Sequence, residues 1–174
     1  MVEILGLNFS KTFTVLVNKV TTVALPSGAQ QLPHNLVSKL AVHVTAQNEV
    51  TVYGLNQYQY TTDAFLALPV DTLGLEYVAV NYHGISGYSF GPQVAVVGVF
   101  DNTQVTVVPA AATPGRPAGV PFTISLNRNE TFQVKSASAD LTGTTVTATS
   151  PVAVMSGVEC TYVPTSAQAC DHLV

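Results

Sequence analysis

Valine and threonine alternate with polar residues along much of this chain, and a period of two, rather than a helical period, organises it. Apolar residues at every second position mark strands with one covered face. On that basis strands are predicted over residues 2–7, 12–17 and 20–25, the last closed by Pro26-Ser27-Gly28. Residues 39–45 and 50–53 follow, and Val42, Val44, Val50 and Val52 around Gln47-Asn48-Glu49 predict a hairpin with one buried face. Further strands are predicted at 77–82, 93–100 and 104–109, the last two joined by Asp101-Asn102-Thr103, whose short polar side chains suit a turn. Residues 109–121 hold four prolines, three consecutive alanines, Gly115 and Gly119, and read as an exposed loop. Strands resume at 122–126, 131–135, 144–149 and 152–155, while short helical turns are expected only at 63–66 and 166–173.

A weak internal repeat runs through this pattern. Val44-Thr45-Ala46, then Val50, Val52 and Gly54, resembles Val146-Thr147-Ala148, then Val152, Val154 and Gly157. Stacked copies of one β-unit would each bury a face on the next. The expected architecture is therefore all-β and antiparallel, β-sandwich-like, with two similar units in tandem: residues 1–77 and residues 78–174, meeting near 74–92. One continuous domain, or a fragment of a propeller or solenoid, fits the same pattern.

Composition narrows the class further. The 28 valines and 21 threonines favour pleated surfaces over helices. Only 9% of residues are charged, so solubility rests on Thr, Ser, Asn and Gln, a surface style of secreted and fibre proteins. With a net charge of −4 and six scattered Lys and Arg residues, there is no basic patch to neutralise phosphates, which argues against nucleic acid as a partner. The longest apolar run, 94–100, is far short of the roughly 18 residues that a membrane helix needs, so no membrane span is expected. The start, MVEILGLNFSKTF, lacks a basic region followed by an apolar one, and the chain reads as a piece that begins inside a longer protein.

Candidate chemistry is sparse. Cys160 and Cys170 enclose a short loop containing Pro164, and in an oxidising compartment a bridge between them is expected. A zinc site lacks a second cysteine pair, with only His172 nearby, and no metal or other cofactor is expected. His34, His43, His83 and His172 show no metal-type spacing. Ser166, Asp171 and His172 contain the letters of a catalytic triad, but sequence neighbours rarely converge as one; Asp63 and Asp71 read as turn residues, so no enzyme is expected. Six of the seven tyrosines fall between Tyr53 and Tyr88. Most are expected to pack on sheets, whereas Tyr58, Tyr60 and Tyr88, read as loop residues, are the candidate contact residues, because tyrosine combines apolar area with a polar tip. Asn8-Phe9-Ser10 and Asn129-Glu130-Thr131 fit the N-glycosylation sequon, which matters in a eukaryotic secretory context.

A family resemblance joins these threads. Gly54-Leu55-Asn56, Thr62-Asp63-Ala64-Phe65-Leu66-Ala67-Leu68-Pro69, Leu73-Gly74-Leu75-Glu76-Tyr77 and Asp101-Asn102-Thr103 are followed by Asn129-Glu130-Thr131-Phe132-Gln133-Val134 and Asp140-Leu141-Thr142-Gly143-Thr144. With Pro151-Val152-Ala153-Val154, Ser156-Gly157 and Cys170-Asp171-His172-Leu173, this order of short motifs over residues 37–174 resembles the N-terminal domain family of IgGFc-binding proteins. That family occurs in animal mucus proteins and in bacterial secreted or surface proteins, and its pattern continues past the position of Val174. The resemblance implies a non-enzymatic extracellular or cell-surface adhesion module that contacts a protein or a mucin-like glycan through loops, without naming immunoglobulin as its ligand. A structural spacer or fibre subunit, self-associating through strand edges, is the alternative.

Overall fold

Long-range pairing decides which of the β-prone stretches become strands. The computed structural model describes residues 1–30, 34–58, 61–88 and 90–170, with the side chains of residues 58 and 61 left aside. Thirteen strands form, and no α-helix occurs among the described residues. They are β1 (Val2–Ile4), β2 (Phe9–Lys11), β3 (His43–Val44), β4 (Val52–Tyr58), β5 (Thr61–Ala67), β6 (Gly74–Val78) and β7 (Pro92–Gly98). Then come β8 (Thr103–Val108), β9 (Phe122–Leu126), β10 (Thr131–Lys135), β11 (Thr145–Val158), β12 (Thr161–Tyr162) and β13 (Gln168–Ala169). The expected all-β, antiparallel, sandwich-like class is what the structure shows.

The main sheet runs β10-β7-β11-β8-β9, with β6 added on β11, and every pairing in it is antiparallel. Its organiser is β11, one strand of 14 residues where the sequence predicts two. The first part, Thr145 to Ala148, pairs with β8; the second, Val152 to Val158, pairs with β7. Between them the register against β6 shifts, and Pro151 sits in that interval. Proline cannot donate to a ladder and is tolerated where pairing is interrupted, so the strand bends there and the sheet curls on itself. Tyr77 fastens the bend: its hydroxyl donates to the Val152 carbonyl at 2.6 Å and accepts from the Gly74 N–H at 2.7 Å. Tyr77→Phe leaves both backbone groups without that partner, and a loss of about 1–2 kcal/mol is expected, seen as a lower urea midpoint at unchanged m-value.

The curl encloses the core. Val94 and Val96 of β7, Val105 and Val107 of β8, Leu126 of β9, Phe132 and Val134 of β10, and Val146 and Val152 of β11 are buried together with Ala79 and Leu141. The alternation read from the sequence places these side chains inward, and β7 shows it cleanly, with Pro92, Val94, Val96 and Gly98 buried between half-buried neighbours. Gly91, just before β7, passes so close to the Ser136 carbonyl oxygen that a β-carbon there would overlap it. The loop over residues 109–121 is not simply exposed: Pro109 and Thr113 are buried, and the Arg116 guanidinium lies 4.0 Å from the centre of the Phe122 ring.

The N-terminal part is a smaller sheet, β2-β1-β3, whose Val2 and Ile4 are buried. Residues 35–38 run along the edge of β10, through hydrogen bonds of 2.7 to 2.9 Å from Asn35 N–H to Gln133 and between Ser38 and Thr131 in both directions. Several expectations fail in this region. Residues 12–17 and 20–25 form no strands; Leu16, Val17 and Val20 stand 62%, 89% and 95% exposed, with no partner strand to cover them among the described residues. The hairpin expected between 39–45 and 50–53 is replaced by two long-range choices: Val44 pairs with Val2 of β1, and Val52 pairs with Ala67 of β5. The helical turn expected at 63–66 is strand β5, because each of its residues is matched across β4. At 166–173 the described part contains β13 rather than a helical turn, and residues 171–173 lie outside the described residues.

Candidate functional site

The β4–β5 hairpin carries exposed apolar side chains on a regular strand pair. Its register, Tyr53 opposite Leu66, Gly54 opposite Phe65 and Leu55 opposite Ala64, sorts the side chains onto two faces. Val52, Gly54, Asp63, Phe65 and Ala67 share the partly covered face. There the Phe65 ring fills the space that a side chain at Gly54 would occupy, which explains a glycine inside a strand. The opposite face is open: Tyr53 is 70%, Leu55 60% and Leu66 52% exposed, and Leu68, next along the chain, is 63% exposed. No charged residue lies between Val50 and Thr62, so nothing ionic interrupts this face on the β4 side. Among the described residues β4 and β5 form a two-stranded sheet, each at its edge. The apolar character continues through Val70, Leu75, Val78 and Val80, all exposed.

Of Tyr58, Tyr60 and Tyr88, the described structure places the backbone of the first and the ring of the last. Tyr58 ends β4 instead of lying in a loop, and Tyr60 lies outside the described residues. Tyr88 is 60% exposed and stacks on Phe90, their ring centres 5.8 Å apart and their planes 13° from parallel. It follows Gly87, whose φ of +84° makes the turn that presents the pair. Sequence reasoning passed over Tyr53, Leu55, Leu66 and Leu68. Their period-two spacing was visible, but reading 63–66 as a helical turn hid the strand opposite Tyr53.

Cys160 and Cys170 are joined. The bridge closes the β12–β13 ladder, in which Thr161 pairs with Ala169 and Tyr162 with Gln168. The Thr161 hydroxyl donates to the His83 carbonyl at 2.8 Å, so this small ladder is tied to the segment following β6. The remaining histidines serve separate local contacts. His43 Nδ1 lies 2.7 Å from the Glu3 carboxylate and its Nε2 is 3.3 Å from Arg128, while the His83 ring lies 4.4 Å from that of Tyr82 at a tilt of 33° and His34 is exposed. Asp171 and His172 lie outside the described residues. Among the described residues, no three His, Cys, Asp or Glu side chains stand together as a metal cluster, and no helix is long and apolar enough to cross a membrane. A shallow depression lined by Glu76, Tyr77, Val78 and Thr145 to Thr147 offers one carboxylate beside a tyrosine hydroxyl that already bridges two backbone groups.

Comparison with known proteins gives the same direction as the motif order. No solved structure matches the chain significantly. The human IgGFc-binding protein is 30% identical over 170 residues, an alignment covering 96% of this chain but only 3% of the human protein's length. The family described as IgGFc binding protein matches residues 63–174, from the middle of β5 to the end of the chain. That match covers well over half of the sequence, and the chain belongs to the IgGFc binding protein family.

Proposed function

We propose that the chain is a non-enzymatic extracellular adhesion and binding module, and that it contacts a protein ligand through the open face of the β4–β5 hairpin. The observation that carries this reading is the uninterrupted apolar face formed by Tyr53, Leu55 and Leu66 and extended by Leu68. Aromatic and aliphatic anchors of this kind supply most of the energy of protein contacts when water is excluded around them. Tyr58 at the hairpin end, Tyr60 and the Tyr88–Phe90 stack are the proposed rim contacts, where a phenol combines apolar area with a hydrogen-bonding tip. The family is one of binding proteins rather than enzymes, and the human relative is named for binding the Fc of immunoglobulin G. A disulfide in the folded chain fits an oxidising, extracellular setting.

The test is binding to immobilised human immunoglobulin G Fc fragment and, separately, to purified mucin. The double variant Tyr53→Ser, Leu66→Ser is expected to bind at least roughly tenfold more weakly, since each removed anchor contributes on the order of 1 kcal/mol or more. Its unfolding midpoint should stay close to that of the parent, because both side chains are already exposed. Undiminished binding by the variant would remove the hairpin from the contact surface.

The two-stranded β4–β5 sheet, with both strands at an edge, favours a second reading, a structural spacer or fibre subunit that associates by strand addition. Concentration-dependent oligomers in light scattering, lost on placing a lysine at Leu55, would select it.

A further inference from the structure

The two sequons differ sharply in what the fold does with them, and we infer that Asn8 is an N-glycan attachment site and that Asn129 is not. Asn8 closes the short 3-10 turn at Leu5–Leu7, with φ of 50° and its backbone N–H bonded to the Leu5 carbonyl at 3.2 Å. It is exposed, and so is Ser10. Phe9 between them opens β2, a strand that among the described residues pairs only with β1. An acceptor amide at a turn, followed by an accessible hydroxyl two residues on, offers both groups that define the sequon.

The second sequon is enclosed. Asn129 is 8% exposed, and its N–H is bonded to the Gly98 carbonyl at 2.9 Å. Thr131 is 4% exposed; its hydroxyl lies 2.7 Å from the Ser38 hydroxyl, and its backbone is paired with Ser38 in both directions. Asn129 is too enclosed to carry a glycan unless the residues around it move, and the turn it sits in is held to Gly98 and leads directly into the Thr131–Ser38 pairing. A chain modified there before folding could not then complete the main sheet.

The reaction requires an oligosaccharide carried on a polyprenyl pyrophosphate lipid as co-reactant. The Asn8 amide nitrogen forms a bond to C1 of the first sugar, the bond from C1 to the pyrophosphate oxygen breaks, and the lipid pyrophosphate leaves. The amide nitrogen gives up one proton to a base of the transferase, and no oxidation or reduction occurs.

The experiment is expression of the chain behind a secretion signal in human cells, with secreted and cell-associated protein analysed together. Peptide N-glycosidase treatment in H2(18)O converts each occupied asparagine to labelled aspartate, which peptide mass spectrometry locates. The expected result is label at residue 8, none at residue 129, and a one-glycan gel shift that disappears in both Asn8→Gln and Ser10→Ala. Ser10→Ala keeps the asparagine that adopts the left-handed turn, so a lost shift there reads the sequon and not a folding defect. Absence of label at residue 8, or label at residue 129 in secreted protein, would overturn the assignment.

Discussion

Phe132→Ala is expected to lower the unfolding free energy by about 3–5 kcal/mol, the range for removing a large aromatic side chain from a packed core. Phe132 is 3% exposed and directly opposite Val96 in the register of β10 on β7, with its ring centre 5.9 Å from that of Phe122. The ring thus joins three elements: its own strand, the neighbouring strand β7 and the start of β9. Truncation leaves a cavity that a sheet fixed by its ladder cannot collapse to fill, so the transfer and cavity costs add. Against a domain stability of about 5–15 kcal/mol this is a large share, and urea titration should show a much lower midpoint. Leu68→Ala, at a 63% exposed position, is the control and should stay within about 0.5 kcal/mol. Equal effects in the two variants would mean that the core is not where the curled sheet puts it.

Opening the Cys160–Cys170 bridge is expected to cost about 3 kcal/mol in the chain-entropy picture, given a sequence separation of 10. The effect comes from the unfolded chain, which regains the freedom that a closed loop of this length denies it. In the folded state the bridge lies directly beyond β11, whose Val158 is buried and pairs with Pro92, so the loss is expected to reach the main sheet. Denaturant unfolding with and without reductant measures it, and the Cys160→Ala, Cys170→Ala variant should be insensitive to reductant. If reduction leaves the midpoint unchanged, the bridge holds only the β12–β13 ladder.

The parts of the fold legible in the sequence are strands of the main sheet whose ends are marked by turn residues, although β11 lies between β7 and β8, and β9 and β10 lie at opposite ends of the order. Strands β7 and β8, linked by Asp101-Asn102-Thr103, and β9 and β10, linked across residues 127–130, fall close to their predicted ranges because alternation and turn chemistry agree there. Where the chain supplies no neighbouring strand, the local pattern misleads. Val15, Val17, Val20 and Val23 carry as much β-propensity as the core valines, yet no strand forms over residues 12–26. Strand propensity expresses packing on a neighbour, and without that neighbour it decides nothing. The look-alike segments from Val44 and Val146 are likewise paired differently: Val44 through Gly54 spans β3 and β4, which belong to separate sheets, whereas Val146 through Gly157 lies within β11.

The candidate surface was half legible. The concentration of tyrosines between Tyr53 and Tyr88 overlaps the face proposed here, and the cysteine pair is joined as its spacing suggested. What the sequence concealed was which face of the segment faces solvent, because that follows from the pairing of Tyr53 with Leu66 and not from either strand alone. The long stretch 144–155 also hid a single bent strand, since Pro151 reads as an interruption until Tyr77 is seen bridging Gly74 and Val152 across the bend.

The proposed binding face is the open side of the β4–β5 hairpin. Hydrogen–deuterium exchange of the chain alone, with human immunoglobulin G Fc fragment, and in parallel with purified mucin, tests it most directly. The account predicts slow exchange in β7, β10 and β11 under all conditions, and added protection at residues 52–67 on binding. Added protection confined to the main sheet, or none with either ligand, would contradict it.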